Sequence, residues 1–101
     1  MAHLFVMQRA NGEYLTETID NNRTLLVWPD FLSLQKYKVF NPELSVFLPK
    51  PIDSRVMGKL QAMEKQGTKL LLMTTEEHSP DLKDGLPTTV DKLEESLRPA
   101  A

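Results

Sequence analysis

Two spacings of apolar residues organise this chain: short uninterrupted blocks, and positions recurring every three or four residues. The blocks reach four residues at most, as in Leu4 to Met7 and Leu25 to Trp28. Short apolar runs rich in Val, Leu and aromatics, bounded by turn residues, read as strands. Residues 3–8 form the first expected strand, and the Asn11-Gly12 pair turns it into a second over residues 13–19, because Asn-Gly is the strongest short-range hairpin signal. Asp20, Asn21 and Asn22 make a second turn, since these side chains tolerate left-handed backbone. The strand over residues 23–28 is apolar on both faces and is expected at the centre of a sheet.

Pro29 cannot donate to a ladder and stops that strand, and the carboxylate of Asp30 can then cap a helix. Phe31, Leu34 and Tyr37 or Lys38 fall at helical spacing, which predicts a short helix over 31–38 ended by Asn41-Pro42. Residues 44–48 read as an edge strand that Pro49 and Pro51 terminate. The clearest helix spans 53–66: Asp53 or Ser54 caps it, Ile52, Val56, Leu60 and Met63 form its apolar stripe, and Gly67 stands where a left-handed residue is wanted. Gly58 inside it costs up to about 1 kcal/mol relative to Ala, and close packing on the sheet is the ordinary reason for such a glycine. A strand over 68–74 follows, with Leu70 to Met73 as its apolar run. Residues 75–87 are polar, acidic and rich in turn residues, so a loop is expected there. Thr88 or Thr89 then caps a last helix whose Val90, Leu93 and Leu97 share a face. Residues 98–101 are expected to be a flexible end. The order predicts one α+β domain over 1–101, with a mixed, largely antiparallel sheet of four to five strands and two to three helices packed on it.

At 101 residues, 41% hydrophobic and 26% charged, the chain has the make-up of a folded globular domain and not of a disordered one. It has no cysteine, which removes disulfides, thiolate nucleophiles and Cys-based metal sites together. With no basic start leading into a long apolar run, export and membrane insertion are not expected, and a cytoplasmic location is. The net charge of −2 is unevenly spread: residues 1–75 hold nine Lys/Arg against seven Asp/Glu, a balance of +2, and residues 76–101 hold three against seven, a balance of −4. Neither part has the basic excess of a nucleic-acid binder.

Candidate chemistry is thin. His3 and His78 are the possible imidazole bases, and no G-x-S-x-G elbow surrounds a serine. The stretch from Glu76 to Asp84, with His78 and Asp81, is the densest set of oxygen and nitrogen ligands. It lacks the ligand spacing of a calcium loop or a zinc pair, so no metal is expected. Gly12, Gly58, Gly67 and Gly85 are too scattered for a phosphate-binding loop, and no cofactor is expected. The aromatics Trp28, Phe31, Tyr37, Phe40 and Phe47 crowd into twenty residues. Most of them suit a core, and Trp28 or Tyr37 could instead line a binding face.

The element from Arg23 to Asp30, a strand ending in Val-Trp-Pro, then a short helix, the Asp53 helix closing at Gly67 and the Leu70 to Met73 strand, resembles small bacterial proteins of domain-of-unknown-function family 2750. More distantly it resembles the N-terminal domain of SseB-like proteins. The resemblance covers roughly residues 13–97, rests chiefly on Val-Trp-Pro, and brings no catalytic residues with it. It implies a small bacterial protein, and the missing catalytic constellation with the aromatic cluster from Trp28 to Phe47 suggests an accessory or regulatory one. Two functions are therefore carried forward. The first is an interaction module that meets a protein partner or pairs as a homodimer, through Trp28, Phe31, Tyr37, Phe40 and Val46. The second is a small-ligand binder or enzyme with a pocket between sheet and helices, using a carboxylate such as Asp30.

Overall fold

The computed structural model describes residues 4–73 and 85–97. Within them run the strands β1 (Phe5–Arg9), β2 (Thr16–Ile19) and β3 (Asn22–Val27), the helix α1 (Phe31–Phe40), a 3-10 turn (Pro42–Val46), β4 (Phe47–Pro51), α2 (Ser54–Lys65), β5 (Lys69–Met73), β6 (Gly85–Thr88) and α3 (Val90–Leu97). The strands form a four-stranded sheet in the order β2-β3-β5-β6 and a two-stranded ladder of β1 with β4. Only β3 and β5 run parallel among these pairs, so the α+β class with a mixed, mostly antiparallel sheet is the observed one.

Both expected turns form, for different reasons. Pairing of Ile19 with Asn22 leaves Asp20 and Asn21 as a two-residue loop, and both have positive φ, 50° and 66°. That is the backbone of a type I′ hairpin, which matches the twist of its strands. At the first turn Gly12 has φ +93°, and the Arg9 amide donates to the Glu13 carbonyl at 2.8 Å. Here the strands part early. Gln8 bridges Tyr14, after which the chain leaves β1 and β2 pairs with β3 instead, so the strand expected over 13–19 shortens.

The central strand carries the core. Leu25 and Val27 face a cluster with Ile52, Val56, Leu60, Leu70, Val90 and Leu93, which α2 and α3 close. Leu26 and Trp28 face the opposite cluster with Met7, Leu15, Leu34 and Met73, which α1 and the 3-10 turn close. A strand with helices on both sides must be apolar at consecutive positions, which is why an unbroken block and not an alternation marks it. Phe5 and Trp28 exchange backbone hydrogen bonds of 2.9 and 2.8 Å, and so tie the β1-β4 ladder to the end of β3.

Two expected boundaries are corrected. Residues 44–46 belong to the 3-10 turn, and the strand is β4, which contains Pro49 and Pro51 instead of ending before them. The Ile52 amide donates to the Leu4 carbonyl at 2.8 Å. By the two-residue alternation of a strand, positions 49 and 51 then turn their nitrogens away from β1, where proline loses no bond. Residues 85–87, expected as loop, form β6 together with Thr88 against β5, with Leu72 opposite Leu86. Pro87 sits on this edge strand, again the tolerated place. The rest of the expected acidic loop, and the end at 98–101, lie outside the described residues.

The helix over 54–65 follows its sequence closely. Asp53 Oδ1 accepts from the Val56 amide at 2.9 Å. At the other end the Thr68 amide donates to Met63 O and the Gly67 amide to Glu64 O, both at 3.0 Å, with Gly67 at φ +98°. These are the paired bonds of a Schellman closure. Val56 and Leu60 are buried, Met63 partly, and Met57 joins them. Gly58 departs from expectation: it is exposed, and an added Cβ would meet nothing within 4 Å. Close packing on the sheet is not its reason.

Candidate functional site

An ordinary surface helix has one apolar stripe and one polar face. Helix α1 does not. Asp30 caps it, with Oδ1 accepting from the Ser33 amide at 2.7 Å, and Leu34 is buried beneath it. Tyr37 sets its ring 5.3 Å from that of Trp28 at 59°. At the first turn the Phe31 ring meets Phe5 edge-on at 5.9 Å. Lys38 Nζ reaches back to the Phe47 carbonyl at 2.7 Å, and Asn41 Nδ2 bonds the Tyr37 carbonyl at 2.9 Å. The inner face is thereby fixed by packing and polar bonds together.

The outer face carries apolar residues as well, with exposed Gln35 among them. Leu32 is 64% exposed and Val39 77%, flanked by half-exposed Phe31 and Phe40, while Val46 lies exposed in the 3-10 turn that follows. Scattered exposed apolar residues need no explanation, whereas several on one short element make it a candidate contact surface.

Of the residues expected at a contact face, the structure brings Phe31, Phe40 and Val46 to the surface. Tyr37 is half-buried against Trp28. Trp28 itself is 1% exposed, so it is corrected to a core residue: its ring fills the space between α1 and the sheet and offers nothing to a partner. Leu32 and Val39 were missed by a search for aromatics. Their signal was present in the sequence as apolar residues seven apart, on the side of the helix away from Leu34.

The carboxylates have structural employment. Asp30 and Asp53 both cap helices. An open groove of about 510 Å³ runs between α2 and α3, lined in part by Ile52, Asp53, Met57, Gly58, Glu94 and Leu97. It lies between two helices, not between sheet and helices. The Val56 amide, with Lys50 and Arg55 nearby, holds the Asp53 carboxyl below its ordinary pKa, the opposite of what a proton donor needs. Glu94 accepts from Gln61 Nε2 at 2.8 Å. A second groove of about 520 Å³, by the start of β3 and β5, includes Glu64, whose Oε2 accepts from the Val90 amide at 3.1 Å.

Among the described residues no three His, Asp or Glu side chains gather as metal ligands would. His3, and the stretch with His78 and Asp81, lie outside those residues. No described helix is long and apolar enough to cross a membrane. No family model matches this chain, and no curated protein matches it.

Proposed function

We propose that this protein is a non-enzymatic interaction module, a small bacterial accessory or regulatory protein whose contact surface is the outer face of α1. The observation that carries this reading is a helix with apolar residues on two opposite sides that is covered on one side only. Leu34 and Tyr37 face the sheet, and Leu32 and Val39 face outward. Keeping Leu32 and Val39 in water forgoes burial worth roughly 1.5 to 3 kcal/mol for each such side chain, a cost that a partner would recover. The bacterial character follows the resemblance carried by the Val-Trp-Pro strand end, and belongs to the same proposal.

The test is affinity capture from the source cell with the wild-type chain and with Leu32→Glu/Val39→Glu, read by quantitative mass spectrometry and by sedimentation. Contacts of the wild type, with other proteins or with itself, should be lost in the variant. Contacts that survive unchanged in a folded variant would place the surface elsewhere.

A further inference from the structure

Asparagines stand at positions 11, 21, 22 and 41 of this chain, and they differ in what the next residue allows. A backbone nitrogen attacks the Cγ of the asparagine before it when it has a proton to lose and room to approach. Asn41 precedes Pro42, whose nitrogen carries no proton. Asn21 and Asn22 precede Asn22 and Arg23, which bear side chains and are held in the β2-β3 ladder opposite Ile19 and Thr18. Asn11 precedes Gly12, which has no Cβ to obstruct a close approach.

The turn around Asn11 adds two facts of opposite effect. Residues 9–13 are exposed, and Asn11 Oδ1 accepts from the Glu13 amide at 3.0 Å. That is an Asx turn, which folds the side chain forward over the Gly12 peptide. The attacking nitrogen, in contrast, is engaged. The Gly12 amide donates to the Arg9 carbonyl at 2.9 Å, and Gln8 Nε2 holds the Gly12 carbonyl at 3.1 Å.

We propose that Asn11 is a site of spontaneous covalent modification, with Gly12 as nucleophile and water as co-reactant, and that the Gly12 to Arg9 hydrogen bond sets its pace. The site is independent of α1. The turn opens, Gly12 N gives its proton to base and attacks Asn11 Cγ. The bond from Cγ to Nδ2 breaks, and ammonia leaves with a proton from solvent. Water then opens the resulting five-membered succinimide at one of its two carbonyls. Opening at the main-chain carbon leaves Gly12 joined to Cγ, an isoaspartyl residue. Opening at Cγ leaves an ordinary aspartyl residue. Nothing is oxidised or reduced, since one water enters for each ammonia lost.

Either product adds one negative charge to the turn. The isoaspartyl product also lengthens the main chain by one atom between β1 and β2. That displaces the bonds which close the turn, chiefly the Arg9 amide to the Glu13 carbonyl at 2.8 Å and the bridge of Gln8 with Tyr14.

The test is to hold the full chain for days at mildly alkaline pH, folded in buffer and unfolded in guanidinium chloride. Peptide mapping with electron-transfer fragmentation then locates each amide converted to acid and tells isoaspartate from aspartate. Asn11 should convert ahead of Asn21, Asn22 and Asn41, with isoaspartate the larger product. Conversion should be many-fold faster in the unfolded chain, where the bond to Arg9 is gone. Asn11→Gln, which would have to close a larger ring, should show no conversion at this position over the same time. In the converted fraction of the folded wild type, hydrogen exchange at the Arg9 amide should accelerate.

An Asn11 that stays intact in the folded chain, or that yields aspartate alone, would overturn the site. A folded chain that converts as fast as the unfolded one would overturn the control by Arg9.

Discussion

Glu64 in the last turn of α2 accepts a hydrogen bond from the backbone amide of Val90, the first residue of α3, at 3.1 Å. The first amides of a helix have no partner within it. Thr89 takes one of them, with Oγ1 3.3 Å from the Lys92 amide, and Glu64 takes another from 26 positions away. Its negative charge sits poorly at the end of its own helix and well at the start of the next.

Removing that carboxylate should loosen α3. In Glu64→Ala the Val90 amide loses its acceptor in a part-buried setting, at an expected cost of about 1 to 2 kcal/mol. Glu64→Gln keeps an acceptor oxygen and should lose less. Urea unfolding would give the loss, and hydrogen exchange at Val90 should accelerate in Glu64→Ala more than exchange in β3. Equal protection of Val90 in wild type and variant would mean that the bond contributes nothing.

The two glycines of the α2 region should respond to alanine with opposite signs. Gly58 is in the helix interior with open space where a Cβ would go, so Gly58→Ala gains helix propensity, about 0.5 to 1 kcal/mol of added stability. Gly67 has the same open space but φ +98°, a conformation that costs an L-residue roughly 1 to 2 kcal/mol. Gly67→Ala should destabilise by about that much. Thermal unfolding of both variants decides it, and two shifts of the same sign would contradict the argument.

Much of this fold could be read from local patterns. The block Leu25 to Trp28 announced a strand covered on both faces, Asp53 and Gly67 bounded α2, and Asp20-Asn21 made its turn. Each of these depends on residues that are neighbours in sequence. What escaped depends on residues that are not. The diversion of the chain from β1 to β3 after Tyr14 is decided by the competing ladder with Leu25 and Thr24. The position of β4 is decided by the partner strand, which lets Pro49 and Pro51 into its edge. The candidate surface was half legible: Phe31, Phe40 and Val46 were named, while Trp28 was drawn in by its aromatic character although the sheet buries it. Burial of a given aromatic is a property of the packed whole.

Leu60 is the most direct test of the core on the α2 side. Its side chain is fully buried, in one cluster with Leu25, Val56 and Leu93. Leu60→Ala removes that volume from between helix and sheet and should cost about 2 to 5 kcal/mol. The urea midpoint should fall with little change of slope. A loss below about half a kcal/mol, the size of an ordinary surface effect, would show that the stripe does not face the sheet.

Tyr37 makes stability depend on alkaline pH in a stated direction. Burial against Trp28, with Glu17 and Glu43 adding like charge, pushes its phenol from 10.0 up to about 12. Between those values the folded protein keeps this proton while the unfolded chain has lost it. The unfolded state then binds fewer protons, so stability falls as pH rises through that window, and the contribution is whole below pH 10. Tyr37→Phe cannot ionise and should flatten the decline. Tyr14, the other tyrosine, is raised too, chiefly by burial, so the comparison of wild type with Tyr37→Phe isolates the one group. Tyrosinate absorbance across the alkaline range should show a late-titrating phenol that the variant lacks. A Tyr37 phenol ionising at its ordinary pKa would mean that the ring is open to water and that α1 does not seal the Trp28 side of the sheet.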